Sequence, residues 1–466
     1  MHGSTTVEDL DEELDILGQL ILFKLYTQIC FCFPVADASS HSAIINTLTN
    51  GLERLSTSFP WVAGQVVNEG SGEGNSGILK IKPLEKTPPL VVKDVRNDPL
   101  ILTMDALRRA SFPFSMLDES IIAPRRTLPG SPDEPASDPA PVFLLQANFI
   151  TGGLLLTFVG EHNVMDMTGQ GQIIHLFSKA CRNEQFTSEE LSSGNLARGN
   201  LIPLLDDSYK QNPELARQIV KPAPSPPTSN DTNNHPAPPP PAKSTWAYFS
   251  FNSTSLAALK SLATKTLTPP SSYISTDDAL SAFIWQSIAR ARLPRLNPTT
   301  ESTFARAVNV RHCLNIPETY PGLVQNMTYN TYTLQKLVSE PLGAIASHLR
   351  SALSPETLAY NTRALATLTH RTPDKSTISI TATLDLSSDL ALSSWAKLDC
   401  YNLDFNLGLG KPESVRRPQF VPVESLLYLM PRGVDGEISV AVCLRDGDLE
   451  RLRGDGEFGK YGRWIG

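Results

Sequence analysis

A proline-rich segment near the middle of the chain divides the sequence into two halves of similar length. Residues 221–244 read KPAPSPPTSNDTNNHPAPPPPAKS and contain no apolar side chain larger than proline. Such a segment cannot bury enough apolar surface to fold, and its prolines favour extended polyproline geometry. We therefore predict a linker at 221–244, between a first domain at 1–220 and a second domain at 245–466.

Hydrophobic periodicity predicts helices and strands in both halves. Apolar residues recur at helical spacing from Ile44 to Leu55, and Ser275 is suited to cap a helix that continues to Ile288. Strands are predicted over residues 142–150, 154–160, 326–333, 377–384 and 438–444. Because strands and helices mix without regular alternation, we predict an α/β protein with two mixed-sheet domains.

Composition excludes several kinds of partner. The formal net charge of −8 argues against nucleic acid, and no apolar run approaches the roughly 20 residues of a membrane span. The acidic start of the chain lacks the basic region of a targeting signal, and the six cysteines have no zinc-site spacing. We therefore expect a cytoplasmic protein that binds neither nucleic acid nor membrane and holds no metal.

The segment Glu161-His162-Asn163-Val164-Met165-Asp166 follows directly from a predicted strand and precedes a predicted helix. A histidine at a strand end lies where the sheet stops and a cleft can begin. An aspartate four residues later lies on the incoming helical turn, where an ionic partner could fix the backbone. Taken alone, this pattern is a weak signal, because any long chain can contain it by chance, and it favours a hydrogen-bonded structural histidine over a catalytic one.

Three further segments change the balance, because they follow the histidine segment in a characteristic order. They are Val308-Asn309-Val310-Arg311, Ser393-Ser394-Trp395 and Asp404-Phe405-Asn406-Leu407-Gly408. Together with the His-xxx-Asp segment they resemble the BAHD acyltransferases, which carry HxxxD near the middle of the chain and DFGWG near its end. Within that family the sequence is most similar to the fungal trichothecene 3-O-acetyltransferases. The resemblance runs from about Leu17 to the C-terminus and lapses mainly in the linker.

The sequence departs from the family pattern at three positions. Met167 stands where a glycine usually follows HxxxD, and Asn406 and Leu407 replace the glycine and tryptophan of DFGWG. Asparagine is the non-glycine residue best suited to positive φ, so we predict a left-handed turn at Asn406. Leu407 cannot supply the N–H group that an indole would.

The resemblance implies two similar α/β domains with a channel at their interface, in which His162 is the general base. It implies that Asp166 pairs with Arg311 and supports the site rather than reacting. Asp404 is assigned to the catalytic loop with His162, and both direct chemistry and organisation of the loop remain open for it. A crossover segment at about 376–418 is expected to pack on the first domain.

Binding roles follow from the same resemblance. Ser393 is the candidate donor to the oxyanion, and Ser275, Thr276, Arg416 and Arg417 are candidate contacts to coenzyme A. The expected co-substrate is acetyl-CoA, without a metal, and the expected partner is a small-molecule alcohol bound to a monomer.

The function implied is an acetyl-CoA-dependent O-acetyltransferase. Its acceptor would be a C-3-type hydroxyl of a trichothecene-like sesquiterpenoid or a related fungal metabolite. Three alternatives remain: a BAHD-type enzyme with another acceptor or acyl donor, a peptide-synthetase condensation domain, and a non-catalytic binding paralogue. Condensation domains usually have a second histidine at the position of Glu161, which disfavours that alternative.

Overall fold

The computed structural model describes residues 9–35, 40–96, 98, 103–130, 139–221, 242–267, 269 and 272–466. Most of the predicted linker, residues 222–241, lies outside the described residues. The described strands are β1 (Glu12–Glu13), β2 (Tyr26–Pro34), β3 (Gln65–Glu69), β4 (Ile78–Lys82), β5 (Leu90–Asp94), β6 (Phe143–Ile150), β7 (Gly153–Glu161), β8 (Ser244–Phe251), β9 (Glu301–Asn309), β10 (Gln325–Thr333), β11 (Leu390–Ser394), β12 (Ser414–Arg416), β13 (Leu426–Leu429), β14 (Ile438–Arg445) and β15 (Arg463–Trp464). The described α-helices are α1 (His41–Ser58), α2 (Met104–Arg109), α3 (Glu119–Ile122), α4 (Met167–Cys181), α5 (Ser188–Gly194), α6 (Ser253–Thr264), α7 (Thr276–Arg292), α8 (Leu334–Ser339), α9 (Leu342–Ser351), α10 (Pro355–Arg371), α11 (Asp446–Gly454) and α12 (Gly456–Gly459).

Five strands form the sheet of the first half, in the order β12-β2-β7-β6-β5. The hairpin between β6 and β7 turns at Gly152, whose φ of 77° suits a residue without a Cβ. Helices α1 and α4 cover one face, where Phe158 and Phe177 belong to the same buried cluster. The edge strand β12 comes from the second half of the chain, and Val415 lies opposite Phe31 of β2. One strand from the second half therefore completes the first sheet.

Seven strands form the second sheet, in the order β10-β9-β11-β13-β14-β8-β15. Its buried cluster includes Phe249, Leu392 and Val440 from the strands, and Trp285 and Ile288 from helix α7. Strand β11 runs parallel to both β9 and β13, whereas the other pairs in this sheet are antiparallel. The prediction of mixed-sheet α/β architecture is confirmed.

Most of the predicted elements are present, and one is wrong. Helix α7 begins after Ser275, which forms a capping box with Asp278 as its sequence suggests. Residues 377–384 are not a strand: Ile378 makes a single bridge to Ile219, and the following residues turn. The β-branched composition favours a strand, but no neighbouring strand continues the ladder there. Strand β11 was missed because its sequence, LALSS, has no β-branched residue.

No helix in the described ranges combines the length and the apolar character needed to span a membrane.

Candidate active site

His162 stands immediately after the end of β7, at the edge of the first sheet. Its backbone N–H donates to the Leu25 carbonyl at 2.8 Å, and its Nδ1 lies 3.0 Å from the Met165 carbonyl oxygen. Because a carbonyl oxygen only accepts, Nδ1 carries the ring hydrogen and Nε2 keeps a free lone pair. The local turn thus fixes the tautomer that a general base requires.

The surroundings of His162 favour its neutral form. Burial lowers the pKa of the imidazole, which the Met165 hydrogen bond offsets only partly. The ring of Phe23 meets the imidazole edge to face, with 5.0 Å between ring centroids. The carboxyl group of the neighbouring Glu161 is also buried, which raises its pKa well above the ordinary value. Burial therefore favours the unprotonated form of the imidazole and the protonated form of the neighbouring carboxyl group.

Asp166 is fully engaged in structural contacts. Its two oxygens accept from Arg311, with Oδ2 2.9 Å from Nη1 and Oδ1 3.0 Å from Nη2. They also accept from the backbone N–H groups of Gly169 and Val324, each at 2.8 Å. Both partners of the ion pair are buried. The structure brings Asp166 and Arg311 together and leaves the carboxylate no contact to His162.

The start of α4 packs directly on the loop that follows Arg311. A Cβ on Gly169 would come within 2.2 Å of the Pro321 carbonyl oxygen, so only glycine permits this approach. Arg311 itself donates to the carbonyl oxygens of Tyr320 and Gly322, at 2.9 and 2.7 Å. The HxxxD turn of the first half is thereby clamped to the second half of the chain.

A second buried ion pair lies beside this clamp, and sequence reasoning missed it. Asp15 accepts from Arg198 at 3.1 Å and from the Tyr320 hydroxyl at 2.6 Å. Arg198 also donates to the Val164 carbonyl at 2.8 Å, within the HxxxD turn. These residues are far apart in sequence and form no local motif, so nothing in the sequence marked them as partners.

A cavity of about 890 Å³ begins at the start of α4, where Asp166, Met167 and Thr168 line it. It extends to the start of α7 and to the end of β11, and both Ser275 and Thr276 contribute to its wall. His162 is not among the residues that line it, although the turn that His162 begins leads to its rim. Five cations from the described part of the chain line the cavity: Lys260, Arg306, Arg350, Lys397 and Arg432.

Some of these cations are partly neutralised, and two flank an exposed ring. Arg306 pairs with Asp278 at 2.9 Å, and Arg350 pairs with the same carboxylate. The Tyr273 ring is 59% exposed, with Lys260 and Arg350 at 5.3 and 5.5 Å from its centroid. Such a set of cations around an aromatic face suits a phosphorylated nucleotide. Sequence reasoning did not find these cations, because they come from separate elements.

The predicted hydroxyl candidates differ in how free they are. Ser393 lines the cavity, and its Oγ accepts from the Trp395 indole at 3.0 Å, so its own hydrogen remains available to a ligand. The Ser275 hydroxyl instead donates to Asp278 at 2.7 Å within the capping box. Thr276 and Asp277 also line the cavity.

Asp404 makes its described hydrogen bonds within its own loop and to Arg182, and none of them reaches His162. Its Oδ1 accepts from the Asn406 N–H at 2.8 Å, and its carbonyl accepts from Arg182. Asn406 has φ of 55°, which confirms the predicted left-handed turn. Phe405 and Leu407 are buried in the core of the first half, so Leu407 contributes packing in place of an indole. These contacts are those of a residue that organises its loop.

Arg416 and Arg417 are both buried, and neither is among the residues that line this cavity, so they lie apart from the five cations that do. Arg416 donates to the carbonyl oxygens of Phe112 and Val415, at 3.2 and 3.1 Å, and lies over the Tyr248 ring. The pairing of β12 with β2 places Arg416 opposite Cys30, and Arg417 follows directly after the strand. In the sequence, Arg416 and Arg417 are adjacent charges that follow the Asp404–Gly408 segment, and nothing in that pattern indicates that they are buried.

No group of three or more His, Cys, Asp or Glu side chains in the described residues is placed to hold a metal ion.

Comparison with known proteins gives two family matches. The model for a trichothecene 3-O-acetyltransferase-like N-terminal domain matches residues 25–181, and the transferase family model matches residues 128–458. The two matches together span most of the chain and both of its halves.

Individual relatives match over nearly the full length. The O-acetyltransferase dmxR13 of Cryptosporiopsis sp. is 62% identical, covering 100% of both chains. The trichothecene 3-O-acetyltransferase TRI101 of Fusarium sporotrichioides is 54% identical, covering 100% of this chain and 99% of its own. The F. graminearum TRI101 structure with coenzyme A and T-2 mycotoxin is 48% identical, with a TM-score of 0.92 over 98% of this chain and 100% of that one. The same enzyme was also solved with coenzyme A and deoxynivalenol.

Proposed function

This chain belongs to the transferase family of BAHD acyltransferases and is an acyl-CoA-dependent O-acyltransferase; we propose that it transfers acetyl from acetyl-CoA to a C-3-type hydroxyl of a trichothecene-like sesquiterpenoid or a related fungal metabolite. The observation that carries the chemistry is the imidazole of His162, whose Nδ1 is held by the Met165 carbonyl while Nε2 stays free. The full-length similarity to TRI101 supports the choice of donor and acceptor.

His162 is the general base of the proposed reaction. Its Nε2 removes the proton of the acceptor hydroxyl while that oxygen attacks the thioester carbonyl carbon. A C–O bond forms, the C–S bond breaks, and the imidazolium returns the proton to the departing coenzyme A thiolate. General-base assistance of this kind contributes about 10²–10⁴-fold to the rate.

Two further features of the site have roles in this mechanism. The Ser393 hydroxyl donates to the oxygen that gains charge in the tetrahedral intermediate. The hydrogen bond that its Oγ accepts from the Trp395 indole fixes the orientation of the hydroxyl. The cations around Tyr273 bind the phosphate groups at the nucleotide end of coenzyme A. Asp166 and Arg311 act only by holding the His162 turn against the second half of the chain.

The test is an assay of thiol release from acetyl-CoA, with mass spectrometry of the products. The acceptors are deoxynivalenol and other trichothecenes with a free C-3 hydroxyl, with their C-3-acetylated forms as matched controls. We expect one acetyl group on the free-hydroxyl compounds and no thiol release with the blocked ones. Turnover of other alcohols but of no trichothecene would refute the proposed acceptor. The absence of turnover with every alcohol and acyl-CoA would favour a binding paralogue.

We also propose that the protein is cytoplasmic, since its cysteines are all free thiols, and that it is a monomer. Light scattering after size exclusion tests the oligomeric state, and a fluorescent fusion in the source cells tests the location.

A further inference from the structure

Arg417 is a buried cation that forms no ion pair with any described carboxylate. Its residue is 1% exposed, and the described structure gives its Nε and Nη1 no hydrogen-bond partner. Among the described residues, its side chain makes one hydrogen bond, from Nη2 to the Thr127 hydroxyl oxygen at 3.4 Å. Burying a guanidinium with two unused nitrogens is costly unless another group completes its hydrogen bonds.

Aromatic rings surround the guanidinium on its other sides. The carbon Cζ of Arg417 lies 4.1 Å from the ring centroid of Phe420, 4.9 Å from that of Tyr428 and 5.8 Å from that of Trp395. Such rings attract a cation but accept no conventional hydrogen bond from it. Trp395 also lines the large cavity, so Arg417 lies behind the cavity wall near Ser393.

The Thr127 contact joins Arg417 to a chain of buried polar groups. Thr127 donates through both its N–H and its hydroxyl to Glu119 Oε2, each at 2.8 Å. Gln28 donates to the same oxygen at 3.0 Å, while its own Oε1 has no partner in the described structure. The chain thus ends in unused donors at Arg417 and an unused acceptor at Gln28.

Arg417 also acts on the catalytic histidine. After burial, the nearby charge of Arg417 is a smaller cause that lowers the pKa of His162. The neighbouring Arg416 differs, because it donates to three carbonyl oxygens and is structurally satisfied. The contrast between these adjacent arginines indicates that Arg417 is kept for a ligand rather than for the fold.

We propose that Arg417 determines acceptor specificity, with its unused N–H groups donating to an oxygen of the acceptor next to the hydroxyl that His162 deprotonates. The inference rests on the proposed function for the identity of the reaction. It specifies the acceptor class as an alcohol with a second oxygen close to the reacting hydroxyl, as an ether, carbonyl or hydroxyl group. An alcohol without that second oxygen would leave the guanidinium unpaired and bind weakly.

Three variants test the proposal: Arg417→Met, Arg417→Lys and the matched control Arg416→Met. Steady-state kinetics are measured with deoxynivalenol and acetyl-CoA, and melting temperatures are measured without ligands. For Arg417→Met we expect the KM for deoxynivalenol to rise about tenfold or more, as for the loss of a hydrogen bond from a charged donor. We expect the KM for acetyl-CoA to stay within about twofold and the Tm not to fall. Arg417→Lys should lie between wild type and Arg417→Met.

The control Arg416→Met should give the opposite pattern, with a lower Tm and an unchanged KM for deoxynivalenol. The proposal is overturned if Arg417→Met lowers Tm as much as Arg416→Met does, because Arg417 would then be structural. A fall in kcat with an unchanged acceptor KM would also overturn it and assign Arg417 to the oxyanion. Failure of the wild-type enzyme to acetylate any trichothecene refutes the proposed acceptor, whereas the melting comparison still decides whether Arg417 is structural.

Discussion

The ion pair between Asp166 and Arg311 offers the most direct test of how the site is held together. The change Asp166→Asn keeps the shape of the side chain but removes its charge. Each carboxylate oxygen accepts one Arg311 N–H and one backbone N–H. Whichever way the new amide turns, its NH₂ group therefore faces donors instead of acceptors.

The expected cost follows from the burial of both partners. Removing one partner of a buried ion pair destabilises by about 3–5 kcal/mol, because the other charge is left uncompensated. For domains of about 150–250 residues, 1 kcal/mol lowers Tm by about 2–4 °C, so we expect a fall of about 10 °C. As a control, Glu457→Gln removes the exposed ion pair to Lys460 and should leave Tm unchanged within error.

The assay is a double-mutant cycle with Asp166→Asn, Arg311→Met and the combined variant, in which urea unfolding gives the free energy of unfolding of each protein. Arg311→Met leaves the Asp166 carboxylate with two backbone donors and no cation. The combined variant removes both charges, so its free-energy cost should be at least about 1 kcal/mol below the sum of the single costs. Costs that add within about 0.5 kcal/mol would refute the reasoning, since residues in direct contact should be coupled.

The remaining predictions concern the base, its titration, the loop and the linker. His162→Ala should keep Tm within error and lose at least about 10²-fold in kcat, and near-normal turnover in a folded variant would exclude the general-base role. Because burial lowers the pKa of His162, kcat/KM should fall only below pH 6.5 and stay level above it; an acid limb centred above 6.5 would contradict this. Asn406→Val should cost about 1–2 kcal/mol at its positive φ while Asn406→Gly costs little, and equal urea midpoints for the two would show that the turn is unstrained. Replacing residues 224–241 by a short Gly/Ser bridge should leave kcat and Tm nearly unchanged, because each halving of loop length changes the free energy of loop closure by only about 0.6 kcal/mol. A large loss of kcat or Tm would mean that the segment has a structural role.

The features that sequence reasoning predicted well depend on neighbouring residues. The cap at Ser275, the left-handed turn at Asn406 and the histidine at the strand end are all consequences of local backbone geometry. The strand expected at 377–384 failed for the converse reason, because a strand also needs a partner, which local composition does not specify. Strand β11, despite its weak local preference, forms between β9 and β13.

The parts of the site that remained hidden are those assembled from distant segments. Asp15 and Arg198 meet only after the chain has folded, and so do the cations around Tyr273. Arg417 was identified as a charge near the coenzyme, yet it is buried at a position directly after β12, whose partner β2 is distant in sequence. Charge alone therefore predicted which residue types would matter but not which of them would reach the cavity.

The pairing of β12 with β2 also bears on how the chain is made. During synthesis the first half emerges with β2 at an open sheet edge, and residues 414–416 can cover that edge only near the end of translation. Until then, the unpaired backbone groups beside Phe31 can pair with a strand of another nascent chain. A fragment ending before the linker would keep this edge permanently open. We therefore expect the isolated first half to aggregate unless the second half is co-expressed to supply its missing strand.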